Sequence, residues 1–271
     1  LEAGEVYVNL KPISPGITRE AAMHELGRKF INTGTDTDQT TSAPVMTMSG
    51  LMDINDVAYN AFTANRTTLN DPDVFDVKPG ETVLLRIING SSGTNFYVGT
   101  KTLTASLVAT DGEPVVPLPS QVFELAVAQR IDLLVDIPKS GGPYPIFFQG
   151  EGTKMLAGIV LKPEGTKPMV MSSLADEETM PFGITQSLLL KAKNPLPKKK
   201  VDRKLDAVLG GDMAKYVWTI NGKSWPDIEP LKVKEGERVE ITMINKTGMG
   251  HPMHLHGHVF QVTEITGNTI D

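Results

Sequence analysis

Short apolar runs separated by turn residues dominate the chain from residue 45 to 163. Ala58–Asn65 (AYNAFTAN), Val74–Asn89, Thr94–Gly99, Leu103–Thr110, Gln121–Ile137 and Met155–Lys162 are rich in Val, Ile, Leu, Phe and Thr. Pro79-Gly80, Asp111-Gly112 and Gly141-Gly142 punctuate them. Closely spaced β-prone runs between such turns predict an all-β sandwich or barrel. Residues 1–44 read as a lead-in. Thr18 caps a predicted helix whose Ala22, Leu26 and Phe30 share one stripe, and 32–42 reads as loop. Residues 164–205 are proline-bearing, include Lys198-Lys199-Lys200, and read as a linker with one strand at Gln186–Lys191. The basic run reads as a solvated connection. Strand patterning resumes in a last segment, 206–271.

That last segment repeats the first unit. Phe62-Thr63-Ala64-Asn65 matches Trp218-Thr219-Ile220-Asn221, Val77–Val83 matches Val233–Val239, and Ile88-Asn89 matches Ile244-Asn245, all at an offset of 156 positions. A constant offset over such a span implies two domains of one fold. After Val115 the first copy runs on to about Pro163, roughly 48 residues that have no counterpart in the second. A β-domain without its last strands has an open edge and an uncovered core face. The second domain is therefore expected to be incomplete, and the chain to be part of a longer protein.

Composition narrows the chemistry. A hydrophobic content of 40% and a charged content of 21% are those of a globular chain. No apolar run approaches the ~20 residues of a membrane span. A net charge of −6 argues against nucleic acid or an anionic membrane as the main partner. Cysteine is absent, which excludes a thiol nucleophile, disulfides and thiolate metal sites within this chain.

Four of the five histidines fall in one stretch, His251-Pro-Met-His254-Leu-His256-Gly-His258. Neutral imidazole is a favoured ligand of copper, zinc, iron and nickel. On an extended segment, residues two apart share a face, so His254 and His256 are placed to chelate one ion or touch two neighbouring ones. His251 has the opposite parity and points toward a different site. The first copy has Gly93-Thr94-Asn95-Phe96 here, so the fold itself does not require the cluster.

HPMHLHGHVF resembles the third copper-binding motif of multicopper oxidases, whose repeating unit is the cupredoxin β-sandwich. The phrases LRIING, VATDGEPV, AQRIDLLVDIP, GDMAKYVWTINGKSWP and HPMHLHGHVFQV are similar to the bacterial laccase-like and copper-resistance branch. The resemblance implies tandem cupredoxin-like Greek-key β-sandwiches. Residues 45–163 would be a domain without copper ligands, and 206–271 a truncated domain carrying the motif. It implies His251 as a ligand of type 1 copper, His254 of type 2 and His256 of type 3, with His258 orienting the site from behind the ligands. Copper, dioxygen and a reducing substrate, a phenol or a metal ion, are the implied cofactor and partners, together with the missing segments of the same protein. The implied location is periplasmic or secreted. The type 1 cysteine and the other histidine motifs are absent, so the chain alone is expected to be inactive. A non-catalytic copper carrier or scaffold module is the alternative.

Lesser candidates have plainer readings. Met46, Met48 and Met52 could bind Cu(I) but suit packing or a loop. His24 sits on the predicted helix as a surface residue, and Asp111-Gly112 is a hairpin signal. Asn65, Asn89 and Asn245 begin Asn-x-Ser/Thr triplets and read as turn residues.

Overall fold

The computed structural model describes residues 3–12, 59–167 and 169–270. The expected helix with His24, the loop at 32–42 and Met46, Met48 and Met52 lie outside them. The described residues divide into two compact units, one containing 3–12, 59–167, 169–194 and 257–270, the other 195–256.

The first unit is a two-sheet sandwich. Its strands are β1 (Ala3–Pro12), β2 (Ala61–Ala64), β3 (Val74–Val77), β4 (Thr82–Asn89), β5 (Phe96–Gly99), β6 (Ala105–Thr110), β7 (Glu113–Ser120), β8 (Val122–Leu125), β9 (Arg130–Asp136), β10 (Tyr144–Gly150) and β11 (Leu156–Pro163). One sheet runs β2-β1-β4-β9-β6-β7 and the other β3-β11-β10-β5-β8. The parallel pairs are β1–β2 and β3–β11; the remaining pairs in both sheets are antiparallel. Alternation explains the core. Val83, Leu85 and Ile87 of β4 and Ile131, Leu133 and Val135 of β9 point inward, onto Phe96, Phe123, Ile146, Phe148 and Ile159 of the facing sheet. On the other face of β4 and β9, Arg86 lies 3.5 Å from Asp132.

Three expectations need correction. The lead-in contains a strand, β1, whose alternation Val6, Val8, Leu10 was legible as a period of two. Gln121–Ile137 is two strands in different sheets, because Ala128 at φ +62° turns the chain between them. The strand expected at Gln186–Lys191 is instead one helical turn, α1 (Thr185–Leu189). The apolar run there is too short for periodicity to separate helix from strand. β7, hidden by Pro114, Pro117 and Pro119, is an edge strand, where missing N–H donors are tolerated.

The stretch read as linker bonds to the first unit along much of its length. The Leu156 N–H donates to Ser173 O at 2.9 Å, the Ala175 N–H to Lys154 O at 2.7 Å and the Val116 N–H to Lys191 O at 2.8 Å. Gln186 acts as an artificial strand neighbour for β8: its amide accepts from the Glu124 N–H and donates to Glu124 O, both at 2.9 Å.

The second unit holds a three-stranded sheet of order β13-β12-β14: β12 (Arg203–Asp212), β13 (Val217–Ile220) and β14 (Val239–Asn245). The repeat is visible in its turns. Asn65 and Asn221 sit at φ 50° and 53°, and Gly80 and Gly236 both at 80°. The Lys78 N–H donates to the Glu81 carboxylate, and the Lys234 N–H does the same to Glu237. The central strands differ: β1 is antiparallel to β4, whereas β12 is parallel to β14. Among described hydrophobic residues of this unit only Ala207 and Leu209 are buried, while Trp225 is 84% exposed. Residues 264–269 form a small hairpin of β15 (Glu264–Ile265) and β16 (Asn268–Thr269).

Candidate metal centre

β14 ends at Asn245, and that side chain organises the loop leading to the histidines. Its Oδ1 accepts from the Thr247 N–H at 2.9 Å and lies 2.7 Å from Thr247 Oγ1. Its Nδ2 donates to Met249 O at 2.7 Å. This is the local side-chain-to-backbone bonding by which Asn favours turns over regular structure. The first unit builds the same clasp at the repeat offset: Asn89 Oδ1 accepts from the Ser91 N–H at 3.0 Å and from its hydroxyl at 2.7 Å. Asn89 Nδ2 donates to Thr94 O at 2.8 Å.

Beyond the clasp the backbone departs from the expected ribbon. Residues 251–255 are irregular, and His256-Gly257 form a turn with Gly257 at φ +73°. Pro252 supplies no N–H, and glycine takes the left-handed conformation without Cβ strain, so a ladder is disfavoured here. His254 and His256 nevertheless stand ring to ring, centroids 4.8 Å apart at 78°. His251 lies elsewhere. Its ring packs T-shaped with Trp218, centroids 5.5 Å apart at 70°, and its Nε2 is 2.6 Å from Thr247 Oγ1. His254, His256 and His258 are exposed and His251 is half-buried.

This donor set suits copper. Three imidazoles within six residues have no charged side chain interleaved, and neutral imidazole binds copper well. Among the described residues no group of three or more His, Cys, Asp or Glu is placed to hold a metal ion together.

The other candidates have structural partners. Asp111-Gly112, at φ 52° and 91°, closes the β6–β7 hairpin, and the Asp111 carboxylate accepts from the Arg130 N–H. Asn89 is buried, and Asn65 donates to Asp73 at 3.0 Å. Sequence reasoning missed Thr247 and Trp218 as neighbours of His251. The signal was available for Thr247, because Ser91 is its counterpart in the repeat.

Two family models described as multicopper oxidase match the chain, at residues 22–164 and 199–270. Multicopper oxidase MmcO of Mycobacterium tuberculosis is 32% identical over 216 residues, covering 80% of this chain and 42% of the relative. A copper resistance protein A homolog of Pseudomonas syringae pv. tomato is 28% identical, covering 66% of this chain and 45% of the relative. Among solved structures, the McoA multicopper oxidase of Aquifex aeolicus aligns with a TM-score of 0.45 at 22% identity, over 72% of this chain and 46% of that one. The chain thus spans less than half the length of each.

Proposed function

Since the chain belongs to the multicopper oxidase family, a family of copper oxidoreductases, we propose that it supplies histidine ligands to two copper centres of an oxidase. The observation that carries this reading is the His251–His258 segment, with two rings in contact and a third held apart against Trp218 and Thr247. Bound copper would supply one-electron oxidation of a reducing substrate and four-electron reduction of dioxygen, with four protons, to two waters. The reducing substrate is a phenol or a low-valent metal ion.

The chain's own residues have distinct tasks. His251, half-buried against the Trp218 indole, would serve the copper that receives electrons. Burial on one side fixes its ring, and a fixed ring loses less entropy on binding a metal. His254 and His256 would serve the oxygen side, where their adjacency lets them reach one ion or two neighbouring ions. His258 would hold or relay a proton behind them. Only five positions separate His251 from His256, so one short backbone segment would serve both centres. The first unit, bearing Asn95 where the second bears His251, would be scaffold. The remaining ligands, including a thiolate, would come from the portion of the relatives that this chain does not span. The resemblance to the copper-resistance branch supports a periplasmic or secreted location. No helix among the described residues is long and apolar enough to cross a membrane.

The test is copper content and dioxygen uptake, with a phenol as reductant, of the chain joined to the remaining length of its relatives. H251A, H254A and H256A should each lose copper and at least about 100-fold of the uptake, given that metal-centred transition-state stabilisation is worth several kcal/mol. Variants with full copper and full uptake would refute the assignment.

A further inference from the structure

The Asn245–Thr247 clasp determines which nitrogen of His251 carries the proton. The orientation of the Asn245 amide is set by its neighbours. Met249 O can only accept, at 2.7 Å, so the atom facing it is the NH2 group. The Thr247 backbone N–H can only donate, at 2.9 Å, so the atom facing it is the carbonyl oxygen. That same oxygen lies 2.7 Å from Thr247 Oγ1. Two oxygens this close need a proton between them, and a side-chain carbonyl has none, so the hydroxyl must give its own. Its second acceptor, Met249 O at 3.3 Å, also has no proton to offer. With its single hydrogen committed, Thr247 Oγ1 can meet His251 Nε2 at 2.6 Å only by accepting. His251 therefore carries its proton on Nε2, and its Nδ1 holds the free lone pair.

We propose that Thr247 is a positioning residue: it fixes His251 as the Nε2–H tautomer and so presents Nδ1 to copper. This rests on the reading of His251 as a copper ligand. A metal-ligating imidazole generally donates its other ring N–H to an acceptor that fixes tautomer and ring orientation. Here that acceptor is a hydroxyl made acceptor-only by the amide behind it. Trp218, T-shaped to the ring with centroids 5.5 Å apart, limits its rotation. The first unit shows what the clasp is without this task. There Ser91 Oγ points at Asn89 Oδ1 and at Thr94 O, 2.6 Å away. Asn95, the counterpart of His251, bonds instead to Glu151 at 2.7 Å and accepts from the Val127 N–H at 2.9 Å. One loop device thus serves as a plain turn lock in one unit and as a ligand holder in the other.

The test is two-bond nitrogen–proton NMR of the metal-free, nitrogen-15-labelled full chain above the pH at which histidines are protonated. His251 should show a protonated Nε2 and a pyridine-type Nδ1. T247V should give a mixture of tautomers, and T247S should restore the single one. Copper(II) titration should give about a 10–100-fold weaker His251-dependent site in T247V, with recovery in T247S. A protonated Nδ1 in the unaltered chain would overturn the proposal, and so would a tautomer indifferent to T247V. The first readout needs no variant to fold. H251A is the separate control on the underlying reading: copper binding unchanged in H251A would remove the ligand role itself, whatever the tautomer.

Discussion

At the scale of single residues, buried polar groups are held by partners that sequence spacing does not reveal. Glu151 is 3% exposed, and its carboxylate accepts from Asn95 Nδ2 at 2.7 Å and from the Phe182 N–H at 2.6 Å. Tyr97 and Glu124 lie within its electrostatic reach. Burial pushes the Tyr97 phenol up to about 12, with Glu124 and Glu151 adding to the effect. Burial also raises the Glu124 carboxyl, Glu151 adds to it, and a hydrogen bond from Gly183 opposes it. The consequence for stability has a definite sign. Between the ordinary carboxylate value and the raised one, the folded state binds more protons than the unfolded state. Stability therefore falls as pH rises through that window and levels off above it. E124Q should flatten this part of the pH profile of the first unit's melting temperature, while leaving the Gln186 clamp on the Glu124 backbone in place. Parallel profiles for the two proteins would count against the assignment. None of this was legible beforehand, because Tyr97, Glu124, Glu151 and Phe182 are brought together from four separate segments.

At the scale of elements, tight backbone approach decides which positions tolerate change. Gly158 in β11 has room for no Cβ: an added methyl would sit 2.6 Å from the main-chain oxygen of Ile146 in β10. Main chain in the middle of a sheet cannot step aside. G158A should cost about 1–3 kcal/mol, as overpacking does in a filled core, read by urea unfolding. Gly99 in β5 meets nothing within 4 Å, so G99A should stay within about 0.5 kcal/mol. The pattern of apolar runs located most strands of the first unit. It failed where a turn was concealed inside an apolar run, at Ala128, and where proline concealed a strand, at β7. Both failures come from reading backbone geometry out of side-chain type. Ala is an unusual choice for positive φ, and edge position is a tertiary property.

At the scale of the whole molecule, the repeat was the most informative feature of the sequence. Its offset carried over to matched turns, matched glycine conformations and matched clasps. The reversed direction of β12 relative to β1 was outside its reach, because the repeated segments flank that strand without including it. Removing an aromatic from the first unit should be felt throughout its two sheets. F148A deletes a fully buried ring and should cost about 3–5 kcal/mol in denaturant unfolding. Spacing alone singled out the histidine cluster as the candidate for metal chemistry. Its division into a ring pair and a separate third ring followed from residue parity; what only the fold supplies is the ring-to-ring geometry at the Gly257 turn and the partners of His251, Trp218 and Thr247. The most direct test of that division is electron paramagnetic resonance of the full chain titrated with copper(II), comparing the unaltered sequence with H254A/H256A and with H24A. The expected result is imidazole-nitrogen hyperfine structure that survives H24A, and in the double variant loses the contribution of the ring pair while keeping the His251-dependent one. An unchanged spectrum in H254A/H256A would contradict the assignment of these two rings to copper.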